Sequence, residues 1–566
     1  MRKPSSIVYG LEEAPPPLVT AGNAVQHVGL IAINLVYPLL IFRLAGVPVS
    51  GVAGLLAIGL MVLGVGTLLQ VARLGPVGSG FLCPSTFTAA YVGPSLLAVK
   101  AGGLPLLFGM TLFAGALEAL FSRLLNRMRP YFPTEISGLV IFMIGVGAGV
   151  AGLRSLLESK AVPVTAAEWW VAGVTLAALV AFNVWGRGIV RMLCALEGLA
   201  VGYVVAGLAG LLGGKEFGSV ERVPWIALPA FEHIGWSFDL ALTVPFAIAC
   251  LAVAMKAVGT ITMCQRMVDA DWVRPDMRSA TRGVLTDGIS TMLAGTVGAL
   301  GTNTSTPAVG LASATGVASR HVAYAIGVLF IAVGLIPKLT TLLAVMPRAV
   351  MIAALLFTIC FIVVNGLQII SSRLLDTRRT LVIGFAVVAG VAVEVFPTMA
   401  AGAPSSIAPF LGSSLVFSTV VALVLNLMFR IGVKQTAIFK VDSAQVEAEK
   451  LEQFMETHGA TWGARRDVID HAKFNLAQSI EVIVDSCEPH GPVEIAATFD
   501  EFNLEVRVSY IGPPIELPQR RPTNEEIMES EDGQRRLAGF MLRRYADRVH
   551  ATHRAGRSVI LFHFDH

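Results

Sequence analysis

One charged residue lies near the middle of an apolar stretch that is long enough to cross a membrane. Residues 245–263 read PFAIACLAVAMKAVGTITM, and the charged residue is Lys256. Inserting a charge at that depth costs about 2.5–3.5 kcal/mol, and ionisable residues inside membranes usually serve a function. An ammonium there could bind an anion, and a buried lysine can also release its proton near neutral pH. The sequence therefore predicts that Lys256 either binds a substrate or carries a coupling proton.

Two other polar residues could act together with Lys256. Thr260 follows it by four residues, which places both side chains on one face of a helix. Asp287, in a later apolar stretch, is the best candidate for an ion pair with Lys256, although it could equally cap the start of its own helix. Lys256 could also have a purely structural role, either in an ion pair or with its side chain extended to the membrane interface.

The composition places most of the chain in a membrane. Of 566 residues, 54% are hydrophobic and 14% are charged, whereas soluble globular proteins carry about 25% charged residues. Apolar runs of about 18 residues or more are transmembrane candidates. We predict fourteen spans, at 23–43, 50–72, 81–97, 103–124, 134–153, 168–188, 192–213, 241–263, 281–300, 304–317, 321–345, 349–370, 379–400 and 412–432.

Matching features in the two halves of this region predict an internal repeat. FPTEISG at 132–138 opens the fifth span, and MPRAVMI at 346–352 opens the twelfth. The third and tenth spans, also seven apart, are both short and interrupted by Gly and Pro. Halves with an odd number of spans have opposite orientations, and broken helices at matching places indicate a site near the midplane. The alternative is that proline merely begins two unrelated helices.

The placement of the charged residues predicts the orientation of the chain in the membrane, and the spacing of the cysteines argues against a metal site. Arginine and lysine cluster after the even-numbered spans, and because cytoplasmic loops carry the Lys/Arg excess, both termini are predicted to be cytoplasmic. Residues 1–22 form a short N-terminal segment without the apolar core of a signal peptide. The six cysteines are scattered without metal-ligand spacing. We expect no metal, no cofactor, no nucleic-acid partner and no enzymatic activity.

Several stretches together resemble one transporter family. They are NAVQHVGL in the first span, SGFLCPSTFTAAYVGP in the third, RGVLTDGIS in the ninth, TSTPAVGLASATGVASR in the tenth, and LLDTRRTLVIG after the twelfth. Over roughly residues 9–432 the chain resembles the nucleobase–ascorbate transporters, also called nucleobase:cation symporter-2 or xanthine/uracil permeases. Members of that family move xanthine, urate, uracil or ascorbate, usually with H⁺ or Na⁺.

The resemblance implies an all-α polytopic fold with two inverted repeats of seven spans. Spans 1–4 and 8–11 would form a core domain that holds the substrate and moves against a gate domain, which often makes a homodimer contact. The third and tenth spans would each combine a short strand with a half-helix. The residues that it implies for substrate binding are Gln26, His27, Thr86, Phe87, Lys256, Thr260, Pro307, Ala308, Val309 and Gly310. Those implied for coupling or support are Asp287, Asn303 and Thr315.

The chain departs from the family pattern at the residues that would read a base. Lys256 stands where the family usually has a glutamate, and Thr260 where it has a polar Asp or His. Ala308 replaces an asparagine, and Pro307 donates no hydrogen bond. The reversed charge predicts an acceptor-rich or anionic ligand. Urate and the xanthine anion fit that description better than uracil does.

A second domain follows the membrane region. We predict a linker helix over 436–465 and a cytoplasmic α/β domain over 466–566, in which the strands VEIAATFD, LEVRVSY and SVILFHF accompany helices. This pattern resembles the histidine-kinase-type ATPase fold, closest to the anti-sigma-factor kinases. Asp485 replaces the asparagine four residues after Glu481, and Tyr510 and Pro514 replace an Asp and a Gly of the nucleotide-binding motif. We therefore expect a degenerate regulatory module without ATP hydrolysis.

The leading interpretation is a secondary transporter of the inner membrane that moves xanthine or urate, coupled to a cation. One alternative is a carrier or exchanger for another organic or inorganic anion on the same fold. Another is a membrane sensor whose tail binds nucleotide.

Overall fold

A computed structural model of the chain consists of two compact units. The division between them along the chain falls after Leu425, within the last helix of the membrane region. The structure describes residues 2–128, 134–157, 163–229, 235–272, 275–371, 375, 377–396, 398, 411, 413–429, 435–441, 448–462, 464, 466–487, 490–500, 503–515, 517–518, 520, 536–537, 539–543, 546–554 and 556–565.

Within the described residues, the regular secondary structure of the first unit is helical except for two strands of three residues each. The strands are β1, Ser85–Phe87, and β2, Thr302–Thr304. The helices in the first half of this unit are α1 Pro17–Ala32, α2 Val36–Leu44, α3 Val49–Val71, α4 Val92–Met128, α5 Thr134–Leu157, α6 Ala166–Trp185, α7 Ile189–Met192, α8 Cys194–Leu208 and α9 Gly214–Arg222. Those in the second half are α10 Thr243–Val268, α11 Met277–Val297, α12 Thr306–Thr315, α13 Arg320–Gly334, α14 Pro337–Ala344, α15 Arg348–Ile370, α16 Thr377–Val395 and α17 Ser414–Phe429.

Glycine and proline explain where helices differ from the predicted spans. The third and fourth spans run together in α4, which is kinked where Gly102 and Gly103 leave helical geometry just before Pro105. Gly103 has φ +71°, a conformation that glycine adopts without strain. The eleventh predicted span is bent by 76° between α13 and α14, where Pro337 begins the second helix and has no N–H to continue the first.

Seven described helices are long and apolar enough to cross a membrane, or eight if the bent pair α13–α14 is one span. Two more apolar helices, α8 and α17, are shorter. Several apolar helices are thus present, as expected, and the total of fourteen spans stays a prediction.

The segment before α1 is bound to the turn between α12 and α13. The Val8 amide donates to the Gly316 carbonyl at 2.8 Å, and the Arg320 amide donates to the Leu11 carbonyl at 3.0 Å. The Arg320 guanidinium forms an ion pair with Glu12 at 2.7 Å. The residues ahead of the first span are therefore an ordered part of this unit.

The second unit contains a five-stranded antiparallel sheet in the order β3-β4-β5-β7-β6. Its strands are β3 Gln435–Val441, β4 Val493–Phe499, β5 Asn503–Ile511, β6 Arg548–Arg554 and β7 Arg557–Asp565, and its helices are α18 Ala448–Trp462 and α19 Arg466–Cys487. Alternate residues of β4 and β5 are buried, as in a sheet with one face against helices.

The linker helix predicted over 436–465 is present only as α18, which follows a strand. Most of that segment is the edge strand β3 followed by α18, because Val441, Leu451, Phe454 and Met455 join the apolar core of the second unit. Tyr510, at the position of the motif aspartate, is buried, and its hydroxyl donates to the Pro513 carbonyl at 2.8 Å. The side chain of Asp485 lies outside the described residues. The likeness to ATPases stays a prediction.

Candidate functional site

The two short strands pair with each other inside the first unit. They are antiparallel, with Ser85 opposite Thr304, Thr86 opposite Asn303 and Phe87 opposite Thr302. Each is followed by a helical segment, a 3₁₀ turn at Ala89–Tyr91 that leads into α4, and α12. A strand followed by a half-helix was expected for the third and tenth spans. Because the strands are antiparallel, the two helix N-termini, with their free N–H groups and positive dipole ends, lie at opposite ends of this three-residue ladder.

Polar side chains cap these two N-termini. The Thr88 hydroxyl accepts from the Ala90 amide at 3.4 Å, and the Ser305 hydroxyl accepts from the Ala308 amide at 3.4 Å. Pro307 lies in the first turn of α12, where its missing N–H is not needed. Ser305 and Pro307 therefore determine where α12 begins.

Asp287 of α11 holds the paired strands in place. It is 1% exposed, and its carboxylate accepts from Gln70 Nε2 at 3.2 Å, Asn303 Nδ2 at 3.3 Å and the Thr304 amide at 3.2 Å. Asn303 Nδ2 also donates to the Val253 carbonyl of α10 at 3.0 Å. One carboxylate thus joins α3, α11 and β2, and through Asn303 it reaches α10.

Asp287 forms no ion pair within 4 Å with Lys256 in the part of the chain that the structure describes, although the two opposite charges attract each other at longer range. It also does not cap its helix, because it lies in the middle of α11. The cap is Asp276, whose carboxylate accepts from the Arg278 amide at 2.9 Å.

A cavity of about 560 Å³ opens beside the paired strands. It falls within the range typical of small-molecule sites. We call it the central cavity. Phe87, Tyr37 and Phe357 give it apolar walls, and its polar side chains include Asn34, Thr86, Ser305, Thr306, Asn365, Gln368 and Lys256.

Lys256 is the only charged side chain among the described residues that line the central cavity. It makes no hydrogen bond or ion pair with any described residue. Thr306 and Pro307 of the α12 N-terminus line the same cavity. The ammonium and this helix end therefore both favour negative charge on a ligand.

Thr260 has a different place from Lys256, although both are on one face of α10. It is buried, its hydroxyl donates to the Lys256 carbonyl at 3.0 Å, and it forms a hydrogen bond with the Thr306 hydroxyl at 2.7 Å. It is not among the residues that line the central cavity. Thr260 therefore positions the start of α12.

The residues predicted in the first span lie behind the half-helix. His27 is fully buried, with Nδ1 at 2.8 Å from the Asn23 carbonyl and Nε2 at 3.2 Å from the Ala308 carbonyl. It connects α1 to α12. The carboxamide oxygen of Gln26 is buried without a hydrogen-bond partner among the described residues.

The other predicted residues divide between the cavity wall and its support. Thr86, Phe87 and Pro307 line the central cavity, and Thr86 accepts from Asn34 Nδ2 at 2.8 Å. Ala308 and Val309 are fully buried and do not line it. A Cβ added at Gly310 would meet no atom within 4 Å, and the Thr315 hydroxyl donates to its own helix at Leu311.

Sequence reasoning missed several polar residues at or next to the site. Those that line the central cavity are Asn34, Tyr37, Asn183, Thr358, Asn365 and Gln368, and Gln70 holds Asp287. The available signal was the polar side chain itself, because each lies in an otherwise apolar stretch. Among the described residues, no group of three or more metal-ligating side chains occurs.

Comparisons with known proteins agree with this geometry. A model of the Permease family of xanthine and uracil permeases matches residues 20–399. Xanthine permease XanP of Escherichia coli strain K12 is 26% identical over 441 residues, which cover 75% of this chain and 95% of XanP. Uric acid permease PucJ of Bacillus subtilis strain 168 is 25% identical over 419 residues, which cover 72% of this chain and 91% of PucJ.

Solved structures of anion transporters also align with the chain. The inward-facing structure of murine Solute Carrier 26 family member A9 covers 74% of this chain and 70% of its own, with 12% identity and a TM-score of 0.46. The transmembrane domain of the cyanobacterium bicarbonate transporter BicA aligns with 16% identity and a TM-score of 0.43, covering 74% of this chain and 99% of its own. At such scores the alignments support no further conclusion.

Proposed function

The chain belongs to the Permease family of xanthine and uracil permeases, and we propose that it is a secondary transporter that moves a purine nucleobase in anionic form. The relatives named for xanthine and uric acid support this substrate class. Xanthine and urate are planar, rich in acceptors and able to carry a negative charge. These are the properties that a cavity with apolar walls and one ammonium selects.

The position of Lys256 is the observation that carries the proposal. An ionisable group without a partner in a membrane span costs about 2.5–3.5 kcal/mol. A bound anion offsets that cost, because the ammonium then gains a charge-assisted hydrogen bond. A neutral base that mainly donates N–H groups would face the ammonium with the wrong polarity. Lys256 therefore selects urate or the xanthine anion over uracil.

The proposal includes how transport occurs. Fourteen spans in two inverted repeats would place α1–α4 and α10–α14 in a core that moves against a gate formed by the other helices. H⁺ or Na⁺ would drive the cycle, in a homodimer in the inner membrane with both termini cytoplasmic. The paired strands and the network around Asp287 support a core that moves as one body, because they tie α3, α10, α11 and the two strands together.

Uptake measurements test the proposal directly. Cells without their own purine carriers would express the wild type, Lys256→Gln and Lys256→Arg, and uptake of labelled urate, xanthine and uracil would be followed across pH. We expect urate or xanthine uptake in the wild type, its loss in Lys256→Gln and partial recovery in Lys256→Arg. Full pH-dependent uptake by Lys256→Gln would exclude Lys256 as the coupling group as well as the anion contact.

The same assay separates the alternatives. A wild type that moves neither purine but takes up another organic or inorganic anion would be a carrier for that anion. Binding of nucleotide to the isolated tail would instead favour a sensor. We propose a regulatory role for the tail, and unchanged transport kinetics in a chain that lacks the second unit would refute it.

A further inference from the structure

A second cavity, of about 480 Å³, adjoins the central cavity in the first unit. The two cavities share only Ala89 and Ile144 among the described residues that line them. Both side chains are largely buried, at 3% and 6% exposure. The shared wall is therefore a small barrier between two chambers, each large enough for a small molecule.

We propose that this second cavity is an electrostatic binding chamber for the same purine anion, placed on the pathway between the central cavity and one surface of the membrane. The inference rests on the proposed function and adds a second site to it. The chamber holds the anion before or after it reaches Lys256.

Two helix faces form much of the wall of the second cavity, which also includes Val393 and Glu394 of α16 and residues 411 and 413–415. One is a single face of the chain that runs from the 3₁₀ turn into α4, with Ala89, Gly93, Leu97 and Lys100 at successive turns. The other is one face of α5, with Ile144, Gly147, Ala148, Ala151 and Arg154 at helical spacing. The small residues on both faces keep the helices from filling the space between them.

The charges at the end of the chamber favour an anion. Lys100 is exposed and makes no hydrogen bond or ion pair with a described residue. Arg154 Nη2 donates to the Glu394 carbonyl at 3.0 Å, which holds the guanidinium at the cavity wall. Lys100 and Arg154 face one carboxylate, that of Glu394, so the lining has a net positive charge. A cleft lined by one sign of charge concentrates ions of the opposite sign.

One continuous segment connects the two chambers. Thr86 and Phe87 line the central cavity, Ala89 lines both, and Gly93 to Lys100 line the second. A ligand that leaves Lys256 past Ala89 therefore moves along α4 toward Lys100. Cations stand at both ends of this path, which suits an anion and repels a cation.

The first test does not depend on the substrate. Ala151→Cys would be introduced into a background with Cys360 and Cys487 replaced by serine, since the other four cysteines are buried. In detergent, the rates of reaction with an anionic sulfonate and a cationic trimethylammonium methanethiosulfonate would be compared. We expect the anionic reagent to be favoured, Lys100→Gln to lower the rate ratio by about threefold or more, and Lys100→Arg to restore it. A ratio that Lys100→Gln leaves unchanged would overturn the proposal.

The second test measures transport. At low ionic strength, Lys100→Gln should lower the ratio of kcat/KM for urate to that for neutral hypoxanthine by about threefold to tenfold. The change should vanish at high salt, because screening weakens exposed charges. An equal fall for both purines, or no fall, would contradict an electrostatic chamber. If the wild type moves no purine, the proposed function fails. The ratio of the reaction rates of Ala151→Cys with the anionic and cationic reagents then still decides whether the cavity attracts anions.

Discussion

Asp287 and Lys256 are both charged residues inside the helical first unit, yet the protein surrounds them in opposite ways. Asp287 accepts three hydrogen bonds from N–H donors. Lys256 faces an open cavity without a polar partner among the described residues. A carboxylate with all these donors has little capacity left for a ligand, whereas an ammonium without a partner retains its full capacity. The comparison supports our proposal that Asp287 has an architectural role and that Lys256 contacts the ligand.

The largest expected effect on stability comes from a substitution that breaks the hydrogen-bond network around Asp287. Asp287→Asn turns one acceptor oxygen into a donor that faces the N–H groups of Gln70, Asn303 or Thr304. Buried donors left without an acceptor cost about 1–3 kcal/mol each. We expect the free energy of unfolding to fall by about 3 kcal/mol, which would appear as a lower Tm of the purified protein and weaker expression.

Glu118 offers a matched control for that substitution. It is as deeply buried as Asp287, but neither carboxyl oxygen has a hydrogen-bond partner among the described residues. Glu118→Gln removes no observed hydrogen bond, so its Tm should stay close to that of the wild type. If both amide variants lower the Tm equally, the donors around Asp287 are not what makes it structural.

Substitution of Lys256 should separate binding from folding. Lys256→Gln keeps a side chain of similar length and removes the unpaired charge, so we expect an unchanged or higher Tm. A hydrogen bond to a charged group contributes about 1.5–3 kcal/mol, so the Kd for urate should rise by about tenfold to a hundredfold. Binding of labelled urate to the purified protein measures the loss. A large fall in Tm with unchanged affinity would reverse the roles of the two residues.

Thr260 combines features of Asp287 and Lys256. It lies one helical turn after Lys256, but its hydroxyl contacts Thr306 at the start of α12. Thr260→Val keeps the shape and removes the hydrogen bond to Thr306, which is worth about 1 kcal/mol. We expect a small fall in Tm and about a fivefold weaker affinity for urate, because the α12 N-terminus loses its anchor. Thr260→Ser keeps the hydroxyl and should behave like the wild type. A wild-type affinity in Thr260→Val would show that α12 is positioned by other contacts.

The same contrast explains what the sequence could predict. Lys256 could be found from one charge in an apolar run, and the broken third and tenth spans could be found from their Gly and Pro residues. The partners of Asp287 could not, because Gln70 lies 217 positions away and approaches it only through the packing of α3 on α11. A close ion pair with Lys256 was the simplest choice from charge alone, but N–H donors of Gln70, Asn303 and Thr304 hydrogen-bond the carboxylate, and Lys256 attracts it only at longer range. The edge strand β3 was missed for a similar reason, since its partner β4 begins 52 residues after β3 ends.

The smallest effect concerns a third kind of charge, an exposed pair on the N-terminal segment. Lys3 Nζ lies 2.8 Å from Glu13 Oε1, and both side chains are about half exposed. The hydrogen bond from Lys3, with a second from the Gly10 amide, lowers the pKa of Glu13. A carboxyl group with a lowered pKa stabilises the folded state above its ordinary pKa, and that contribution is lost as the pH falls through the lowered value.

Lys3→Gln should therefore reduce the dependence of Tm on pH at acidic pH. The Tm of the wild type should fall more steeply than that of Lys3→Gln as the pH drops below the ordinary range of a glutamate, while Lys3→Arg follows the wild type. The difference should be small and should disappear at high salt, because solvent and ions screen an exposed pair. Parallel curves for the wild type and Lys3→Gln would mean that the Gly10 amide alone holds Glu13. The N-terminal segment would then depend on its contacts with Gly316 and Arg320, as Asp287 depends on its N–H donors, and not on the Lys3–Glu13 pair.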